Sequence, residues 1–293
     1  FEQEELTSRL RGMALGGKPP MPGKRRKSES SQEDVPALTQ PEAAVVDDSN
    51  LSGKAASSVL KEAFRVYSLE ADSGNVKAQR YLGMCYQHGD GVPRNPTEAV
   101  KWFQKAADGG DKKAQFFLGA AFETGEGVEA DMYRAMEWYM AAAAQGHLPS
   151  ITAMGVCFCN GVGTAPNHEE AVRCYRQAAE RGFAGAQRNL GACYAAGKGV
   201  QKDMVQAVYW WEEASRRGDE VAQFNLALCL ELGQGTKKNM EDAVRWYWKS
   251  AKQENKEAAA ALKRIRASGF VPGGSANSAN NSTTKKKPFV TSR

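Results

Sequence analysis

The sequence has no apolar run approaching about eighteen residues, which excludes a membrane-spanning helix within it. Histidine is scarce, with three residues, His88, His147 and His168, among 293. So few leave little material for metal or acid–base chemistry. Six cysteines are too few for a disulfide framework in every unit of a chain this long. A strong charge of one sign is also missing, because 39 Lys and Arg stand against 34 Asp and Glu. Residues 56–269 carry 27 basic and 25 acidic side chains, and the excess sits in residues 270–293, with 4 basic and none acidic. A nearly neutral body argues against a broad nucleic-acid-binding face. The abundant residue is glycine, with 29. By composition that suggests loops, but the positions of the glycines say otherwise.

An Ala or Ser recurs every 36 residues, at Ala78, Ala114, Ser150, Ala186 and Ala222, with a half-copy at Ala258. Counting that residue as slot 0, slot 4 holds Leu82, Leu118, Met154, Leu190 and Leu226. Slot 8 holds Tyr86, Phe122, Phe158, Tyr194 and Leu230. This spacing is one apolar stripe on a helix, here helix A. A second stripe, helix B, opens at Ala99, Ala135, Ala171, Ala207 and Ala243. It continues through Trp102–Phe103, Trp138–Tyr139, Cys174–Tyr175, Trp210–Trp211 and Trp246–Tyr247, pairs read as core, Trp138 among them. An Asn or Asp four residues before each of those Ala predicts an N-cap. The unit is helix, turn, helix, turn.

Stretches such as AQRYLGMCYQHGDGVPRNPTEAVKWFQKAADGG at 78–110 and AQRNLGACYAAGKGVQKDMVQAVYWWEEASRRG at 186–218 resemble the Sel-1-like repeat family, a branch of the tetratricopeptide-like solenoids. The resemblance implies an all-α, right-handed superhelical solenoid. Five repeats are expected over 78–257, starting at 78, 114, 150, 186 and 222. A capping helix is expected at 56–77 and another at 258–268, with disordered segments at 1–55 and 269–293. The third copy departs most, with Ser150, Met154 and Cys174, and predicts a softer joint. The fifth departs at Ala227, Thr236 and Glu254, as suits a terminal copy.

Eighteen of the 29 glycines occupy fixed slots. The G-x-G pairs, Gly89/Gly91 through Gly233/Gly235, follow a helix rather than a strand. They read as left-handed helix ends, not as a phosphate-binding loop. Cys85, Cys157, Cys193 and Cys229 share slot 7, inside the buried arc. The thiols of Cys157 and Cys159 point apart, so no metal site is expected. Some secreted members of the family pair two cysteines per repeat, and this pattern does not. It favours reduced thiols and an intracellular, cytoplasmic setting. No catalytic residue, cofactor or small-molecule substrate is expected.

The candidate binding surface is the part of helix A left over by packing, expected at slots 2, 6 and 9 with slot 3 at the edge. Slot 2 supplies Arg80, Phe116, Arg188 and Phe224. Slot 3 supplies Tyr81, Phe117, Asn189 and Asn225, and slot 6 supplies Met84. On a solvent-open face these side chains would suit a peptide groove. The resemblance places helices A on the concave side of the superhelix. It also implies that an Asn at slot 3 grips the backbone of an extended ligand, with Arg188 available for a carboxylate. The alternative is that slot 3 packs at the helix-pair edge.

The leading expectation is a non-catalytic adaptor that binds partner proteins or peptides. A first residue other than Met predicts a natural start upstream, which leaves open the regulatory part of a larger enzyme. RNA binding along the solenoid is the third reading, opposed by the neutral body. Lys24-Arg25-Arg26-Lys27 resembles a nuclear-import cluster, Arg25-Arg26-Lys27-Ser28 a basophilic kinase site, and Pro19-x-x-Pro22-x-Lys24 a proline-rich ligand.

Overall fold

The computed structural model describes residues 53–270. The segments expected to be disordered, with the basic cluster, the kinase site and the proline-rich motif, lie almost wholly outside the described residues. The described chain is an all-α right-handed solenoid of twelve helices, with no strand among the described residues. Helix α1 spans Gly53–Asp72. The five helix pairs follow as α2 (Val76–His88) with α3 (Pro96–Asp108), α4 (Lys112–Thr124) with α5 (Met132–Ala144), and α6 (Leu148–Asn160) with α7 (His168–Glu180). They continue with α8 (Ala184–Ala196) and α9 (Met204–Arg216), then α10 (Glu220–Leu232) and α11 (Met240–Lys252). Helix α12 (Lys256–Ala267) closes the array.

The helices start where the caps are. Asn95, Asp131, Asn167, Asp203 and Asn239 each accept a hydrogen bond from a first-turn amide of a helix B. A second set, Asn75, Asp111, Asp219 and Asn255, does the same for helix A. At the same place His147 and Phe183 make no side-chain cap bond. Every helix A of the five pairs stops at a left-handed glycine, Gly89 through Gly233, with φ of 69–80°.

The second glycine of each G-x-G serves a different purpose. A Cβ on Gly91, Gly127, Gly163, Gly199 or Gly235 would overlap the backbone carbonyl of Leu60, Pro96, Met132, His168 or Met204. Each turn therefore leans on the first turn of the preceding helix B, and only glycine lets it. Helix α1 illustrates the converse. Its residues 60–72 occupy the helix B register, but it starts at Gly53, earlier than the expected 56. Ala55 stands in the second glycine's place, and the chain runs straight through as helix.

Each helix packs on its sequence neighbours, and α6 also touches α8, both of them helices A. Helix A is the more enclosed of the two types: α10 buries nine residues and α11 three. The slot 5 glycines, Gly83, Gly119, Gly155 and Gly191, let helix A sit on a ring of its own helix B. An added Cβ would lie 2.6–2.7 Å from Phe103, Tyr139, Tyr175 or Trp211. Those rings are the core of each pair, fully or nearly fully buried, as is Tyr247 in the fifth. Their neighbours Trp102, Trp138, Trp210 and Trp246 are only half-buried. This corrects the reading of both rings as core, because slot 24 lies off the axis that slot 25 points along.

The buried apolar side chains form three large groups and a small N-terminal one, and the large groups divide within α6 and again within α8, where Cys193 and Ala192 fall in different groups. Ala153 and Cys157 pack with the second repeat, whereas Ile151 packs with Tyr175 and the fourth. In α12, Lys263 and Arg266 are exposed where internal repeats carry the packing glycine and the slot 8 aromatic. They cap the array with charge.

Candidate functional site

Three neighbours consume most of helix A. On one side, slot 1 glutamines reach back: Gln79, Gln115, Gln187 and Gln223 donate to the carbonyls of Ala71, Ala107, Ala179 and Ser215, at 3.1–3.3 Å. They satisfy carbonyls left over at the end of the preceding helix B. Gln145 and Gln253 in turn donate to the side-chain oxygens of Gln115 and Gln223.

Slot 2 reaches forward, contrary to its expected solvent exposure. The Arg80 guanidinium lies 3.1 Å from the Asp111 carboxylate, and Arg188 lies 3.0 Å from Asp219. In both cases the partner is the N-cap residue of the next helix A. The same junction between the second and third repeats is a ring contact, with Phe116 and His147 centroids 5.3 Å apart. Arg80, at 7% exposure, is a buried inter-repeat strut, whereas Phe224, at 6%, packs on Tyr247 of its own helix B, with ring centroids 5.6 Å apart. Arg188, expected to hold a ligand carboxylate, already holds Asp219.

Slot 9 faces its own helix B. The Tyr139 hydroxyl donates to Glu123 at 2.6 Å and the Tyr247 hydroxyl to Glu231 at 2.8 Å, with Arg264 also on Glu231. Burial, reinforced by these carboxylates, pushes both hydroxyls far above the usual tyrosine range. In the fourth repeat the Trp211 indole N–H donates to the Arg188 carbonyl at 3.2 Å.

What remains open is a stripe at slots 3, 6 and 10 and at the residue before slot 0. At its N-terminal end Lys77, His88, Lys113 and Thr124 are exposed, and Tyr81, Met84 and Phe117 are half-buried. Tyr81 stacks on Tyr67, and Phe117 stacks on Phe103, with ring centroids 5.1 Å apart in each pair. Phe116 is half-buried against Phe117 and Tyr139. Asn189 is half-buried and its side-chain oxygen accepts from Arg188. Asn225 is 3% exposed, and its side-chain oxygen has no partner. The stripe is therefore open over the first two repeats and closed over the fifth, where Leu228 is also buried.

The nine candidate residues divide accordingly. Tyr81, Met84, Phe116, Phe117, Arg188 and Asn189 keep accessible surface, and Arg80, Phe224 and Asn225 support from behind. Sequence reasoning missed the helix A caps and the slot 1 amide ladder. An Asn or Asp three residues before the first Ala, and a Gln just after it, were the available signals.

The six cysteines are all free thiols. Burial pushes Cys85 and Cys174 up to about 11, and Cys157, Cys193 and Cys229 up to about 12, so these thiols are protonated and unreactive at neutral pH. Among the described residues no group of His, Cys, Asp or Glu is placed to hold a metal ion. No described helix is long and apolar enough to cross a membrane.

The Sel1 repeat profile matches residues 76–111, 112–147, 149–183, 184–219 and 221–255. Among solved structures, a Sel1 repeat protein from Oxalobacter formigenes is 34% identical with a TM-score of 0.66, covering 69% of this chain and 84% of its own. The protective antigen c5321 of uropathogenic Escherichia coli, which displays an SLR fold, is 31% identical with a TM-score of 0.64 over 71% of this chain. This chain spans only 44% of the length of c5321. Curated protein sequences yield no match.

Proposed function

This chain belongs to the Sel1 repeat family, whose members are generally protein-interaction scaffolds, and from that premise we propose that it is a non-catalytic adaptor that binds partner proteins or peptides along its helix A surface. The observation that carries the reading is the open stripe over the first two repeats. There, half-buried Tyr81, Met84 and Phe117 are flanked by exposed Lys77 and Lys113. Rigid aromatics held by stacking supply contact area at little entropic cost. Asn189 and the edge of Arg188 extend the surface into the fourth repeat, and buried Arg80, Phe224 and Asn225 hold its shape. Six free thiols suit a reducing compartment.

A specific observation favours a second docking face. Every large apolar side chain that is exposed among the described residues lies on a helix B or on α1, none on a helix A. Tyr133 at 74%, Val205 at 63% and Tyr209 at 52% exposure stand out. The two faces are separated by a pull-down that compares Met84→Lys plus Asn189→Lys with Tyr133→Ala plus Val205→Ala plus Tyr209→Ala. Thermal unfolding verifies that both variants remain folded. Loss of recovered partners in the first variant alone supports the helix A surface. Loss in the second alone overturns it in favour of the outer face.

A further inference from the structure

The junctions between successive helices A are not alike. Between the first and second repeats, and between the fourth and fifth, a permanently charged Arg meets an Asp N-cap. Between the second and third, the same two positions are Phe116 and His147. His147 is half-buried and makes no cap bond. One ring nitrogen, Nδ1, lies 2.8 Å from the fully buried Ser150 hydroxyl.

The surroundings of His147 are cationic. Lys112 and Lys113 face it from the start of α4, and the Arg181 guanidinium lies on the Gly146 carbonyl next to it, at 3.2 Å. Among the described residues, Asp111 is the carboxylate that acts on the ring. It is already bonded to Arg80 and to the amides of Lys113 and Ala114. Tyr139, which contacts Phe116, has its hydroxyl committed to Glu123. An imidazolium here would be partly desolvated and repelled by Lys112 and Lys113, with no uncommitted anion beside it.

We propose that the junction between the second and third repeats is an acid-released joint, in which protonation of His147 separates α4 from α6 and loosens the superhelix at its centre.

The ring sits at the entry to α6, whose Ala153 and Cys157 share a core group with Ala114 and Leu118 of α4. Burial first, then Lys112 and Lys113, hold the folded imidazole down at about 4, against an ordinary value of 6.5. A depressed histidine contributes stability above about pH 6.5, and that contribution is lost as pH falls toward 4. In the opened joint the ring is hydrated and takes up its proton near the ordinary value. Between pH 7.5 and pH 5 the opening equilibrium then rises by up to about thirtyfold.

The test is hydrogen exchange by mass spectrometry on the full chain at pH 7.5 and pH 5, with protection factors corrected for intrinsic exchange. Protection in α6 is expected to fall by about tenfold or more relative to α10, which contains no histidine. The double variant Phe116→Arg plus His147→Asp installs the strut of the first junction and should remove that excess loss. The single variant His147→Asn, which places at this junction the residue found at Asn75 and Asn255, gives an independent reading if the double variant fails to fold. Equal acid sensitivity of α6 and α10 in the wild type would overturn the proposal. So would an undiminished loss in α6 of either folded variant.

Discussion

The third and fourth repeats have the same length, topology and glycine turns, yet they are held differently. The fourth is tied by an Arg–Asp strut, by the Gln187 bond to the preceding helix and by an indole donating to the Arg188 carbonyl. In the third the corresponding residues are Thr152, Ile151 and Tyr175. Thr152 turns inward and donates to Leu148, and Ile151 carries no amide. The third repeat retains the apolar packing and the Arg181 bond to the Gly146 carbonyl, and lacks the strut and the slot 1 amide bond. Apolar burial sets how strongly neighbours adhere, while ion pairs and amide bonds between repeats fix their relative angle. An array can therefore be continuous in its core and still have one joint more easily bent than the rest.

Three sets of substitutions test this contrast. The largest effect is expected at the packing ring, where both repeats are alike. Trp211→Ala and Tyr175→Ala should each cost about 3–5 kcal/mol in denaturant unfolding. The half-buried Trp210→Ala should cost about half as much. A similar cost for Trp210 would show that both rings of the pair are core after all. At slot 2 the repeats should diverge: Arg188→Ala leaves Asp219 without its strut and should cost about 2–3 kcal/mol, against about 1 kcal/mol for Thr152→Ala. Equal losses would remove the distinction drawn between the two joints. The smallest effect is a coupling. Ile151→Gln should destabilise alone, and Arg181→Gln should recover about 1 kcal/mol of that loss by rebuilding the pair seen at Gln115 and Gln145. Additive effects in the double-mutant cycle would show that the second amide lends the slot 1 amide no support.

Much of the architecture was legible because a repeated pattern confirms itself. A cap seen five times, at Asn95, Asp131, Asn167, Asp203 and Asn239, is hard to misread, as is a glycine recurring after each helix. The binding surface was less legible. A helical wheel sorts slots by angle around one axis, and slot 2 does lie off the main apolar arc. Its partner, however, is the N-cap of the next helix A, so Arg80 appears solvent-facing until Asp111 is placed beside it. The same limit misassigned slot 9, whose carboxylates serve tyrosine hydroxyls on helix B. It also made the two aromatic rings of helix B look equivalent. The closing of the stripe at Asn225 and Leu228 is a matter of packing between units, which no single repeat records.

The second glycine of each turn has a bearing on how such a chain can vary. Most proteins accommodate insertions in their loops, because a loop touches little. Here the turn after helix A rests against a carbonyl of the preceding unit, and the turn before helix A carries the residue that meets slot 2. Neither turn has slack for an added or a missing residue. Length in this protein is quantised: the neutral change is the gain or loss of a whole unit, and the variable left to evolution or to a designer is copy number.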